Sequence, residues 1–345
     1  MNLLFLAVLI IAVLVIEKAS AHTKDQIRVK MKFDRRCVEP DGVFHLDIKA
    51  ENRSLLPVMY MELSARADEN IRPVSESFQK HNTGNSMGRN TFTVSNWLGS
   101  RQALNTEIDL SCDRRGRYAL GNTYLTTGDF LGLQSGISAL NCQSEIIVYP
   151  RKDDTDVETA LGGFLGNLSV LRWLFPDPVL FQGLSDYTGR EPMKDISWSK
   201  SAARNKLTVY QYDHTAEDIA CVLLNTEGAD EETCEHLFSL TRSVLELLEQ
   251  KHLTWSFYSN GNLYAQRFSE DGQGERHLES ALMSLGGAAY GSAFSFEALI
   301  DRLMHGTLRA EGCIVITKDQ TLIQSGLNRL QNRTGGRVQV LEAKR

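Results

Sequence analysis

The chain has no Cys-x-x-Cys pair, no Gly-x-Ser-x-Gly elbow, no phosphate loop ending in Lys-Ser or Lys-Thr, and no long basic run beyond its first forty residues. Each absence closes a class of function. The six cysteines (Cys37, Cys112, Cys142, Cys221, Cys234, Cys313) lack zinc-ligand spacing, and 345 residues supply core enough to do without a disulfide framework. Cys221 and Cys313 lie inside apolar runs, where a thiol acts as a small hydrophobe. With a net charge of −6 and no basic stripe, neutralising a phosphate backbone is disfavoured, so no nucleic acid is expected as partner. Eight histidines are spread along the chain. His214 reads as a surface or packing residue, and no nucleophile elbow accompanies it. The run Gly286-Gly287-Ala288-Ala289-Tyr290-Gly291 follows a helical pattern rather than a strand, so it reads as a hinge between helices and not as a nucleotide site. No catalytic constellation emerges, and no cofactor is expected.

One unbroken apolar run is present, Leu3 to Ile16. A full span takes about 20 residues, and a snorkelling Lys18 extends this shorter one. Ala19-Ser20-Ala21 imitates a signal-peptidase site, yet no cation precedes the run and Glu17-Lys18 interrupts the approach. Lys18, Lys24, Arg28, Lys30, Lys32, Arg35 and Arg36 all follow it, which orients the remaining chain toward the cytoplasm. The expectation is a single-pass anchor within residues 1–20. A cleaved signal of a secreted protein, or the remnant of a longer N terminus, are the alternatives.

From 21 to 150 the apolar period is two: Ile27/Val29/Met31/Phe33, Phe44/Leu46/Ile48 and Ile108/Leu110/Cys112 alternate with polar residues. Pro40-Asp41-Gly42, Asn52-Arg53-Ser54, Gly116 and Thr127-Gly128-Asp129 punctuate them as turns. The pattern predicts an antiparallel β-sandwich, with Gln79 to Asn90 as a long hairpin loop. Residues 151–215 read as a connector, helical from Val157 to Trp173, followed by an unusual segment described below. From 216 to 345 strands alternate with helices: strands at 218–225, 253–258, 313–317 and 338–341, helices at 232–252, 275–285, from a Ser295 cap to Gly306, and at 321–332. That alternation predicts a three-layer, Rossmann-like α/β domain with a parallel sheet. The whole is an α+β multidomain chain with an N-terminal membrane helix.

The most informative stretch is Asp186 to Ala202, DYTGREPMKDISWSKSA. Tyr187, Ile196 and Trp198 are able to pack, and Arg190, Lys194 and Lys200 stand beside Glu191 and Asp195. Two readings stay open for the aromatics. Either they are core packing between domains, or they anchor a partner whose acidic groups meet the cations.

Tyr187, Pro192, Lys194, Ile196, Trp198, Ser201 and Ala202 fall in register with the central pattern of the bacterial family catalogued as domain of unknown function 58, which this chain resembles. Arg115-Gly116-Arg117-Tyr118, Thr127-Gly128-Asp129-Phe130-Leu131-Gly132-Leu133 and Ile147-Val148-Tyr149-Pro150 match further pieces. Ser185 stands where the family has Arg, Arg190-Glu191 where it has Gly-Asp, and Ser199 where Lys is usual. The resemblance implies a C-terminal domain similar to the von Willebrand factor type A fold. It also implies a non-enzymatic adaptor or assembly role beside a MoxR-type AAA+ ATPase and other membrane-associated proteins. Type A domains that hold Mg²⁺ use Asp-x-Ser-x-Ser after their first strand. Here that place reads Asn225-Thr226-Glu227-Gly228-Ala229, with Asp319 as the nearest counterpart of a third ligand, so the site is expected to be degenerate and metal-free. The alternative function is an exported adhesion or ligand-binding protein using the type A domain outside the cell.

Overall fold

In the computed structural model, the described residues are 26–74, 83–85, 89–128, 135–153, 155–172, 181–189, 193–212, 219–265, 272–305 and 310–343. The expected anchor, the turn at Asp129, and Arg190, Glu191, Pro192, His214 and Gly306 lie outside them. Among the described residues no helix is long and apolar enough to cross a membrane. The chain divides into two units, residues 1–151 with 282–288, and residues 152–281 with 289–345.

The first unit is built of short strands: β1 (Ile27–Phe33), β2 (Cys37–Val38), β3 (Val43–Asn52), β4 (Val58–Asp68), β5 (Ile71–Pro73), β6 (Thr83–Asn85), β7 (Arg89–Leu98), β8 (Ala103–Cys112), β9 (Gly116–Ala119), β10 (Thr123–Gly128), β11 (Ser135–Leu140) and β12 (Glu145–Val148). They form an antiparallel sheet in the order β1-β3-β8-β5, a second in the order β11-β10-β4-β7-β6, and a small sheet β2-β12-β9. Alternation in the sequence becomes alternation in burial, because successive side chains of a strand leave opposite faces. Phe44, Leu46 and Ile48 of β3 point inward with Ile108 and Leu110 of β8, and they share one core with Met61, Leu63 and Ala65 of β4, Phe92 of β7 and Leu125 of β10. Two sheets over one core make a β-sandwich. The stretch 79–90, expected as loop throughout, contains β6 and the start of β7, which pair through Thr83↔Phe92 and Asn85↔Asn90. Its polar composition concealed an edge hairpin, whose ladder needs backbone groups rather than apolar side chains.

The second unit opens with α1 (Val157–Arg172), followed by β13 (Phe181–Asp186), α2 (Trp198–Arg204) and β14 (Thr208–Tyr212). Next come β15 (Ile219–Leu224), α3 (Glu231–Gln250), β16 (Thr254–Ser259), β17 (Gly261–Asn262), α4 (Glu275–Gly286, whose residues from Leu282 on belong to the first unit), β18 (Ala289–Ser292), α5 (Phe296–His305), β19 (Gly312–Thr317), α6 (Gln324–Arg333) and β20 (Val338–Glu342). β16-β15-β19-β20 form a parallel sheet in that order. Its central strands are buried along their described length, as sheets covered on both faces require. Cys221 and Leu223 of β15 and Cys313 and Val315 of β19 pack with Phe296, Leu299 and Ile300 of α5 and Leu327 and Leu330 of α6. The long amphipathic α3 packs on the same sheet through β15, β16 and β19. Polar contacts hold the connector to α3: His236 Nε2 lies 2.7 Å from Asp153, and Lys152 lies 2.7 Å from Glu246, which also takes the buried Arg242 of the same helix at 2.8 Å.

Residues 286–291 are not a hinge. α4 ends at Gly286, and 289–292 form β18, paired with β17. A Cβ on Gly286 would stand 2.7 Å from the carbonyl oxygen of Val148, a neighbour in the first unit, so this glycine serves a close backbone approach.

Candidate functional site

Two places carry the residues that the sequence singles out. The first is the hairpin of β13 and β14, which enclose the segment Tyr187–Leu207. Asp186 pairs with Thr208, and the Tyr187 N–H donates to the Leu207 carbonyl at 2.8 Å. Ile196 forms an isolated bridge to Val209 and is buried, 5% exposed. Ser201 faces inward from α2, its hydroxyl accepting the Thr208 N–H at 2.9 Å. These two anchors fix the direction of α2, and Asn205, in the left-handed region at φ 55°, ends it.

Trp198 then points outward, 63% exposed. Tyr187 is half-buried, Asp195 likewise, and Ala202 is exposed. Met193, 67% exposed, and Leu207 extend the uncovered apolar surface of the segment. Lys194, Lys200, Arg204 and Lys206 are all exposed, and among the described residues none has an ion-pair partner. Elsewhere in this unit Lys152, Lys251, Lys318 and Arg329 are each paired.

Ser197 caps α2 by position only. Its hydroxyl is buried and finds no partner among the described residues, and it makes no cap hydrogen bond. Removing an unsatisfied buried hydroxyl relieves its desolvation cost, so Ser197→Ala should leave stability unchanged or raise it by about 1 kcal/mol. Urea unfolding monitored by circular dichroism measures this, and a loss above about 1 kcal/mol, as for a working N-cap, would contradict it.

The second place is the C-terminal edge of the parallel sheet. The chain runs from β15 to β16 on one side, then crosses to β19 on the other side of β15. The strand order therefore reverses between β15 and β19, the crevice where open α/β sheets bind ligands. Asn225 follows β15 directly and is 3% exposed. Its Nδ2 donates to Thr317 Oγ1 at 3.1 Å, across the crevice. Its Oδ1 accepts the Glu227 N–H at 3.0 Å and Asn260 Nδ2 at 2.7 Å. Asn260, fully buried after β16, accepts the Thr226 N–H at 2.9 Å.

Glu227 and Asp319 are not gathered around Asn225 as ligands. Glu227 accepts the Phe296 N–H at 2.8 Å, a carboxylate on the N-terminus of α5. Asp319 accepts the Thr321 hydroxyl at 2.7 Å and the Thr321 N–H at 2.8 Å, and these bonds hold its carboxyl below the usual range. Asp230 is lowered likewise, chiefly by the Thr233 hydroxyl, with Lys318 assisting. The Lys318 ammonium lies 3.2 Å from the Gly228 carbonyl and 3.5 Å from Asp230. Among the described residues, no group of three His, Cys, Asp or Glu side chains is placed to hold a metal ion. Asn260 escaped the sequence reading, although it ends β16 as Asn225 ends β15.

No family model matches the chain, and no curated protein does. Among solved structures, it is similar over 36% of its length to the alkylpurine DNA glycosylase AlkC of Pseudomonas fluorescens, with 11% identity and a TM-score of 0.23. The chain spans 30% of that glycosylase. It is similar over 36% of its length to the CARDB domain of a Pyrococcus furiosus protein, with 12% identity, 90% of that chain covered and a TM-score of 0.23. A non-cellulosomal cohesin from Archaeoglobus fulgidus is similar over 39% of this chain and 97% of its own, with 11% identity and a TM-score of 0.23.

Proposed function

We propose that this chain is a non-enzymatic, membrane-anchored adaptor of the domain-of-unknown-function-58 kind, with a second unit similar to the type A fold. Its partner-binding surface is the segment from Met193 to Leu207, flanked by Tyr187. The observation that carries this is the exposure of Trp198 in a segment whose cations Lys194, Lys200, Arg204 and Lys206 have no ion-pair partner among the described residues. Exposed tryptophan and arginine are the residue types that dominate interface energies, and unpaired cations favour an acidic partner. The buried Ile196 and Ser201 hold the surface in place, so its conformation is set before binding. The resemblance names the partner class, a MoxR-type AAA+ ATPase. Residues 3–16 supply the anchor, and the cations after them place the soluble part in the cytoplasm.

The test is co-purification of the tagged full-length chain from its native membranes, with bound proteins identified by mass spectrometry. An AAA+ ATPase should be recovered, and Trp198→Ala should reduce its recovery about tenfold or more, the loss expected of an interface hot spot. Because the ring is exposed, the same substitution should leave the melting temperature unchanged. Lys200→Glu should also weaken recovery, more strongly at low salt. Recovery of the ATPase undiminished in both variants would reject this surface, and recovery of none would reject the adaptor.

A further inference from the structure

We infer that the crevice between β15 and β19 operates without a divalent cation, its loops being locked by the carboxamide pair Asn225–Asn260 in place of an ion. This rests on the geometry of the second unit and not on the adaptor reading. A hard cation needs oxygen ligands with free lone pairs, some of them anionic. An amide oxygen has two lone pairs, and Asn225 Oδ1 has committed both, to the Glu227 N–H and to Asn260 Nδ2. The amide nitrogen of Asn225 occupies the direction of Thr317, where a second carboxylate oxygen would otherwise face the crevice.

Every buried polar side chain at the centre is neutral: Asn225, Thr226, Ser259, Asn260 and Thr317. The nearest carboxylates are turned to other donors, Glu227 to the α5 N-terminus, Asp319 to Thr321, and Asp230 to Thr233 and Lys318. Lys318 adds a fixed positive charge at the rim, which opposes a dication. The residues present therefore do not fit the ion that a type A domain implies.

What they do fit is a mechanical task. Asn225 joins the loop after β15 to the end of β19, and Asn260 joins it to the loop after β16. Thr226 Oγ1 donates to the Gly291 carbonyl at 3.2 Å, and the Ala293 N–H to the Asn260 carbonyl at 2.8 Å, which brings in the segment before α5. One buried hydrogen-bonded hub thus holds four chain segments.

The full-length chain in detergent is titrated with MgCl₂ and with MnCl₂ to millimolar concentration, with EDTA as the zero point, and thermal unfolding is recorded. No ion-dependent change in melting temperature at the crevice is expected. A saturable rise that disappears in Asn225→Ala would overturn the inference, whereas a rise that survives the substitution is binding elsewhere, as the inference requires. Independently, Asn260→Ala should lower the melting temperature by about 4–8 °C, with or without ions, since it orphans the buried Thr226 N–H. An unchanged melting temperature in that variant would dismiss the lock.

Discussion

Replacing Trp255 by alanine is expected to cost the second unit about 3–5 kcal/mol, the largest effect of any single substitution considered. Trp255 is fully buried in β16, although β16 is an edge strand of the parallel sheet. The edge is covered because Gly272 exchanges both backbone hydrogen bonds with Trp255, at 3.0 and 3.1 Å. The His277 ring lies against the indole with centroids 4.1 Å apart and planes tilted by 50°, and its Nε2 lies 3.1 Å from the Trp255 carbonyl. The indole N–H reaches Glu249 at 3.3 Å, and the same carboxylate accepts the Gly274 N–H at 2.9 Å. Alanine would remove the ring from under His277 and leave a cavity that the paired backbone on either side cannot close. Trp255→Phe keeps most of the apolar volume and loses the N–H bond, so about half the penalty should remain. Urea unfolding followed by far-ultraviolet circular dichroism, at unchanged slope, measures both. A loss below about 1 kcal/mol for alanine would mean that the site collapses onto the gap.

How far the sequence revealed this architecture depends on whether each feature is local. The period-two pattern of β1, β3 and β8 is written in consecutive residues, and so is the apolar density of β15 and β19, because burial on one or both faces acts on every position of a strand. Trp198 was undecidable, since an aromatic residue on a seven-residue helix has no period to show which way it points. The orientation comes instead from Ile196 and Ser201, and from β14, whose pairing with β13 spans more than twenty residues. β18 was missed for a different reason. It carries no buried residue, and only the partner strand β17 makes it a strand. At the crevice Asn225 was found by its place after an apolar strand. Asn260 lies in an Asn-Gly pair that reads as an ordinary turn, and only the fold brings its amide to Asn225. The matched segment Arg115–Tyr118 was visible as a pattern without a role, because the partners of Arg115 lie some 170 residues downstream.

Arg115→Ala is expected to destabilise the chain by about 2–4 kcal/mol. In the first unit its guanidinium donates to the carbonyls of Leu285 and Ala288, each at 2.9 Å. Leu285 lies in the last turn of α4 and Ala288 just beyond its end, where the helix dipole favours a cation, and the Leu285 carbonyl also accepts the Ala288 N–H at 3.2 Å. Hydrogen bonds from a charged donor contribute about 1.5–3 kcal/mol each, and removing the donor loses both of them. The loop that aims Arg115 is fixed by Tyr118, whose hydroxyl donates to the Arg114 carbonyl at 2.9 Å. Burial pushes that phenol well above its ordinary range. A Cβ on Gly116 would sit 3.0 Å from the Tyr118 ring, which explains a glycine between the two functional side chains. Arg115→Lys should recover less than half the loss, since one ammonium cannot reproduce a fork spanning two carbonyls. Tyr118→Phe should fall between wild type and Arg115→Ala, because the guanidinium remains but its loop is no longer held. Equal unfolding midpoints for Arg115→Lys and the unaltered chain would show that charge alone suffices, and that the planar geometry of the guanidinium adds nothing at the end of α4.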